Sequence, residues 1–339
     1  MGLLNDIDSE AELEELRKTA RRLSQQLNQE RSRRRLLFDA VYQAARDASL
    51  VVGPPPKLPS PKFDRRKKSS LVPILHTTDH QYGKRTESYN LDVADRRMKE
   101  LGDKVCEIIE IQKNGHPINE AVVLIGGDCV EGVNIFPGQH FEIDAGLFEQ
   151  VFRVRAALRD LIIRKLLTAV PKITVYCSPG NHGRLSKRGD YSWEDNSDIL
   201  LYRILADDFN DEPRVTFHVP TTFFAHFTVG QYKAAMVHGD QIRQFGGNTP
   251  SYGIMTKAHK WASGVLPFFM DLYMGHFHSP QQMTLANGGS VFITGSPESG
   301  NNYAAEFIAS TALASQRLHF AHPDDGIIAS QHQVWLRAV

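Results

Sequence analysis

What the chain lacks narrows its class before any motif is read. No stretch of its 339 residues approaches the roughly 18 consecutive apolar residues of a membrane-spanning helix, and the N-terminal MGLLNDIDSE has neither the basic flank nor the apolar core of a secretory signal. Met1-Gly2 is followed at position six by Asp6, not by the Ser or Thr of an acylation signal. A soluble, intracellular protein with no membrane partner is therefore expected. Cysteine is scarce: Cys106, Cys129 and Cys177 are an odd set with no CxxC pair, which argues against a disulfide framework and fits a reducing cytoplasm. Neither sign of charge is in excess, with 39 Lys and Arg against 39 Asp and Glu, so any affinity for nucleic acid must come from local patches. No internal repeat of the solenoid or propeller kind recurs.

What is present falls into three parts. From about residue 9 to 50 apolar residues recur at the coiled-coil period, with Leu13, Ala20, Leu27, Arg34, Val41 and Ala48 on one seam position and Leu16, Leu23, Glu30, Leu37 and Ala44 on the other. Ser9 precedes Glu12 by three positions, a capping box that would open the helix. Glu30 and Arg34 interrupt the seam; four apart and opposite in charge, they could pair within one helix or between two. The pattern suits a homodimer formed through residues 9–50 or a single amphipathic helix lying on its own domain. Next, GPPPKLPSPKFDRRKKSS at 53–70 is Pro-rich and then basic, the composition of a stiff extended linker. Its RRKK at 65–68 is either a phosphate contact or a solvated tether.

Beyond residue 70 short apolar runs alternate with helical stretches. Strands are expected at 71–75, 121–127, 172–177, 221–227, 232–238, 271–275 and 290–294, and helices near 92–113, 144–168 and 196–208. This is the pattern of a layered α/β domain on mixed sheets, spanning 71–339 with a C-terminal extension whose QHQVWLRAV alternates like an edge strand. His319, His322 and His332 in that extension have no ligand-like spacing and read as surface or packing residues.

Several of the expected strands end beside glycine in residues of metal-ligand type: Asp79 in TTDHQYG, Asp128 in IGGDCVEG, Asn181 and His182 in SPGNHGR, His238 in VHGD, and His276 and His278 in MGHFHSP. Taken singly each is a common turn or core residue. Their order is not: Asp, Asp, Asn-His, His and His-x-His follow one another at successive strand ends.

In these motifs, over roughly residues 71–297, the chain resembles the calcineurin-like metallophosphoesterases. The resemblance implies an α/β two-sheet sandwich flanked by helices and two divalent ions. Asp128 would bridge them; Asp79, Gln81 and His278 would complete one site, and Asn181, His238 and His276 the other. Manganese is the expected ion, with Mg, Fe or Zn as alternatives; carboxylate and imidazole suit such ions, and two of them about 3.5–4 Å apart clamp both sides of an in-line displacement. A hydroxide between the ions would attack, with His182 as acid at the leaving oxygen.

Two positions depart from the family pattern. Gly183 stands where an acidic residue usually orients the histidine, and Asp195 or Asp198 is expected to take that task, with Arg184, Lys187 and Arg188 steadying a phosphate-rich substrate or lying solvated in the loop. Gln81 stands where the first motif has histidine; its amide oxygen is a weaker ligand, so that ion should bind less tightly, and Gln81→His should tighten it. His80 would point to the opposite side of an extended backbone. A closer resemblance, carried by DCVEGVNIFPGQ at 128–139 and SPGNHGRLSKRGDYSWEDNSD at 178–198, is to phage-encoded DNA-repair exonuclease-like members. It implies a DNA nuclease in a host cytoplasm, with a partner ATPase of the kind such nucleases recruit. Tyr252, Lys257, Lys260 and Trp261 could supply stacking and phosphate contacts for single strands, or Tyr252 and Trp261 could belong to the core. The alternatives are a phosphatase or phosphodiesterase acting on a small molecule or phosphoprotein, and a non-catalytic phage component.

Overall fold

The computed structural model describes residues 2–52, 56–185, 194–242, 250–299 and 313–337. Two compact units divide the chain at Val52.

The first unit is one helix, α1 (Gly2–Val52), about 77 Å long at 1.5 Å per residue. Ser9 and Glu12 lie inside it, so the expected capping box does not open the helix; ordinary helix formers before Ser9 carry the hydrogen-bond ladder back to Gly2. The seam residues Leu16, Leu23, Leu27 and Leu37 are each about half exposed or more. Glu30 pairs with Arg33 at 2.9 Å rather than being left for a neighbour alone.

In the second unit, residues 56–70 form no helix or strand. They are not a free tether. Arg66 chelates Asp64 and donates to the carbonyls of Lys113, Asn114 and His116, closing the C-terminus of α2 (Leu91–Lys113). Asp64 and Asn119 exchange two further hydrogen bonds.

Two sheets form the body of this unit. The first has the order β11-β10-β1-β2-β3-β4, with β1 (Val72–Thr77), β2 (Glu120–Ile125), β3 (Lys172–Cys177) and β4 (Val215–His218) parallel, and β10 (Ser315–His322) and β11 (Ile327–Trp335) antiparallel at one edge. The second has the order β5-β6-β7-β9-β8, in which β6 (Tyr232–Val237), β7 (Asp271–Met274) and β9 (Ser290–Ile293) are parallel between the antiparallel edges β5 (Phe224–Val229) and β8 (Gln281–Thr284).

The period of two along β1 decides the layering. Val72 and Ile74 face the second sheet among Val122, Leu124, Phe227, Met236 and Tyr273, whereas Leu75 faces a larger core under α2, α3 (Leu147–Ala156), the short α4 (Arg164–Leu166) and α5 (Ser197–Asp207). Burial on both faces is why β1 and β2 read as unbroken apolar runs. A third cluster, with Trp261 and Ile254, covers the outer face of the second sheet beneath α6 (Ser251–Lys260). The α/β two-sheet sandwich with flanking helices is thus as expected.

Four elements were not expected. β4 and β8 are four-residue edge strands without an apolar run, the sequence of α6 shows only a basic and aromatic stretch, and β10 carries buried polar residues. In β10, Arg317 donates to the Ile293 carbonyl and His319 meets the Tyr273 hydroxyl at 3.0 Å, so polar side chains lie satisfied inside the sandwich and mask the strand. That contact makes His319 a packing residue. β11 is the edge strand expected of QHQVWLRAV. None of the described helices is long and apolar enough to cross a membrane.

Candidate metal centre

The carboxyl ends of β1, β2, β3, β6 and β7 open on one side, and every ligand-type motif lies in the loop just past one of them. Parallel strands concentrate their functional loops at this end. Here the loops are stitched to each other: Asp79 donates its N–H to the Gly127 carbonyl, Gln81 to that of Asp128, and the His276 N–H reaches both Asp79 carboxylate oxygens at 2.9 and 3.1 Å.

The backbone marks the same place. Among the described residues, the non-glycine positions with left-handed φ are Asp79, Gln81, Asp128, His276 and His278. Each such conformation costs on the order of 1–3 kcal/mol and persists where the surroundings over-determine it, typically at functional sites. The loop at 79–81 is therefore not extended as expected. His80 still turns away, because its Nε2 bonds Thr77 Oγ1 at 2.7 Å within the core.

Asp128 is the centre of the cluster. Its Oδ2 lies 2.9 Å from His238 Nε2, and its Oδ1 accepts the His182 N–H at 2.7 Å. The ligand atoms of Asp128, His238 and His276 all fall within 4.8 Å of one another. Asn181 Oδ1 is 3.2 Å from His238 Nε2. On the other side, His278 Nε2 stands 3.4 Å from Asp79 Oδ1, and 3.4 Å from the Gln81 amide nitrogen.

Burial alone would raise the Asp128 carboxyl, yet the neighbouring His238 and His182 hold it well below the usual carboxylate range. Burial disfavours the protons of His238 and His278, but Asp128 beside the one and Asp79 beside the other lift both to about 10. His276 goes the other way, to about 4, through burial and the nearby charge on His238.

These residues fit divalent ions. His238 bonds the Gly126 carbonyl through Nδ1, and His278 Nδ1 lies 3.1 Å from Glu298 Oε2 as an ion pair. Both rings thereby present Nε2 toward a buried carboxylate while an oxygen beside Nδ1 fixes their orientation, as it does for metal-binding histidines. A bound cation would displace the Nε2 protons.

His182 sits at the edge with 15% of its side chain exposed. Its Nδ1 meets the Glu131 carbonyl at 2.8 Å and Glu131 Oε2 at 3.3 Å. Against the cost of burial, Asp128 and Glu131 raise it to about 9. Among the described residues, then, the carboxylate paired with His182 is Glu131, and neither Asp195 nor Asp198 takes that place. Asp198 instead accepts from the backbone N–H groups of Asp128, Cys129 and Gly180 at 3.0, 3.1 and 2.8 Å, bracing two ligand loops at once. Burial, then the nearby Asp128, raises its carboxyl to about 6.

Gly183 has a steric reason. A Cβ there would stand 2.1 Å from Asn196 Oδ1, and Asn196 caps α5 and bonds the Gly180 carbonyl. Arg184 pairs with Asp240, while Lys187 and Arg188 lie outside the described residues. Trp261 is buried, with Lys257 5.5 Å from its ring centroid, so it is a core residue and not a stacking platform; Tyr252 is 82% exposed.

Sequence reasoning missed Glu131, Lys84 and Glu298. Glu131 had a signal, three residues past Asp128 in the same loop, as had Lys84, three past Gln81 in the GK that follows it; Glu298 lies far along the chain and had none.

No protein-family model matches the chain. It is 22% identical over 268 residues to the SPbeta prophage-derived uncharacterized protein YonJ of Bacillus subtilis strain 168, covering 77% of this chain and 61% of that protein. The chain thus spans about three fifths of that relative's length. Among solved structures it is similar to Vps29 from Cryptosporidium parvum, at 13% identity and a TM-score of 0.37 over 78% of this chain and 99% of the other. A metallophosphoesterase from Sphaerobacter thermophilus aligns at 14% identity and a TM-score of 0.30, over 78% and 89% of the two chains. A 5'-nucleotidase from Candida albicans aligns at 10% identity and 0.37, over 80% and 53%.

Proposed function

We propose that this protein is a metal-dependent phosphoester hydrolase of the calcineurin-like metallophosphoesterase type, acting on the phosphodiester backbone of DNA as a nuclease. The supporting observation is the convergence of five strand-end loops on Asp128, with Asp79 and His278 on one side and Asn181, His238 and His276 on the other. These residues would hold two divalent ions, manganese first, and when bound the ions supply Lewis-acid polarisation of a phosphoryl oxygen and acidify a water.

The chain's own contribution to the chemistry is chiefly His182. Glu131 receives its Nδ1–H, which leaves Nε2 as the atom that carries a proton toward a leaving oxygen. In the metal-free protein Asp128 and Glu131 raise its pKa to about 9, which favours the protonated ring that an acid needs. Arg184, fixed by Asp240 beside the His238 loop, lies at the rim where a substrate phosphate would enter.

DNA as substrate is supported by the likeness of the 128–139 and 178–198 segments to phage exonuclease-like proteins and fits the prophage origin of the relative. Exposed Arg65, Lys67 and Lys68 add local positive charge, and α1 would pair two copies while a partner ATPase remodels the duplex. The test is a panel of labelled single- and double-stranded DNA, bis-p-nitrophenyl phosphate and p-nitrophenyl phosphate, each with Mn, Mg and Zn. Cleavage of DNA and the diester is expected. Monoester preference would point to a phosphatase, and silence with every substrate and ion to a non-catalytic component.

A further inference from the structure

Gln81, Lys84, His278 and Glu298 form a closed ring beside Asp79. Lys84 Nζ lies 2.7 Å from Glu298 Oε1 and 3.3 Å from Gln81 Oε1. Glu298 Oε2 is 3.1 Å from His278 Nδ1, and His278 Nε2 is 3.4 Å from Gln81 Nε2. Gln81, Lys84 and Glu298 are buried, with 8% of the Lys84 side chain and 3% of that of Glu298 exposed, while His278 is 25% exposed.

Lysine settles which end of the amide is which. An ammonium only donates, so the Gln81 atom it meets is the oxygen, and the NH2 group faces His278. An NH2 group has no lone pair available to a metal. The loop that supplies Glu298 is itself pinned: Ser296 Oγ bonds both the Asp79 carbonyl, at 2.7 Å, and the Glu298 N–H, at 2.9 Å.

We infer that Gln81 is not a metal ligand but a fixed amide donor, its oxygen held off by Lys84, and that Lys84 and Glu298 are positioning residues that orient Gln81 and His278. The inference rests on the proposed metal-dependent function. It leaves Asp79, Asp128 and His278 as the protein ligands on that side, with an N–H group where the family pattern has an imidazole. That donor suits a phosphoryl oxygen. Substituting the oxygen-bearing partner alone would therefore not remove a ligand, whereas uncoupling Glu298 would loosen one.

Calorimetric titration of the full-length, metal-stripped protein with Mn2+ tests this without recourse to activity. Gln81→Leu should keep the wild-type number of ions and an affinity within about threefold, whereas Glu298→Gln should lose roughly 10- to 100-fold on the His278 side, as orienting partners of ligands typically do. Gln81→Met serves as a second variant should Gln81→Leu not fold. Loss of an ion, or of more than about tenfold in affinity, in either Gln81 variant would make Gln81 a ligand and overturn the inference while leaving the functional reading intact. If the wild-type protein takes up no divalent ion, the functional reading falls and the inference with it.

Discussion

Glu131 meets His182 twice, through its carbonyl at 2.8 Å and its carboxylate at 3.3 Å, so one residue both orients the ring and stabilises its charge. His182→Asn should retain bound metal, measured by elemental analysis, and lose about 10²- to 10⁴-fold in kcat, the range of a general acid. Glu131→Gln removes one of the charges that hold His182 at about 9. An acid works only while protonated, so the alkaline limb of the kcat profile should move to lower pH in that variant. An unmoved limb would separate Glu131 from the acid.

Asp198 acts on the site through backbone. Its carboxylate is the acceptor for three N–H groups in the Asp128 and Gly180 loops. Asp198→Ala leaves those donors buried and unsatisfied, at about 1–3 kcal/mol each. Urea unfolding should show a loss of several kcal/mol, with weaker Mn2+ binding in calorimetry because Asp128 loses its support.

Placing at position 183 the acidic residue of the pattern that the chain resembles should do harm. The Cβ of Gly183→Asp would stand 2.1 Å from Asn196 Oδ1, forcing Asn196 off its cap of α5, and an overpacked site typically costs about 1–3 kcal/mol. The midpoint of denaturant unfolding should fall. A neutral or stabilising outcome would mean that the Asn196 loop yields freely.

The metal-free protein should lose stability as pH rises. The folded-state values of His238 and His278, about 10, lie above the ordinary 6.5. Their contribution is fully present below pH 6.5 and is lost as pH climbs through about 10. Thermal melts in chelator should therefore shift down from pH 7 to pH 10, and saturating Mn2+ should reduce the shift, since a bound cation replaces those protons.

On α1 the seam leucines bear on assembly. Leu23→Asp with Leu27→Asp places charge on two exposed seam positions, which should lower the mass measured by light scattering if two copies pair there. An unchanged mass would leave α1 as a single helix.

The sequence alone determined the order of the ligand-type residues: Asp79, Asp128, Asn181, His238, His276 and His278 were legible because each lies a few residues past a short apolar run in a loop that contains glycine, and local pattern is enough to place a residue at a strand end. The sandwich was legible for the same reason, save for the short edge strands β4 and β8, for α6, and for β10, which buried Arg317 and His319 interrupt. Tertiary structure alone decided what supports those residues. Glu131 in place of Asp195, and Glu298 against Lys84 and His278, are contacts between loops that meet only when the strands align, while Asn196 against Gly183 and Lys84 against Gln81 depend on how a single loop folds back on itself. A side chain's partner depends on backbone direction as well as spacing, and at Asp79 and Gln81 that direction is a left-handed turn which only the surrounding fold holds in place.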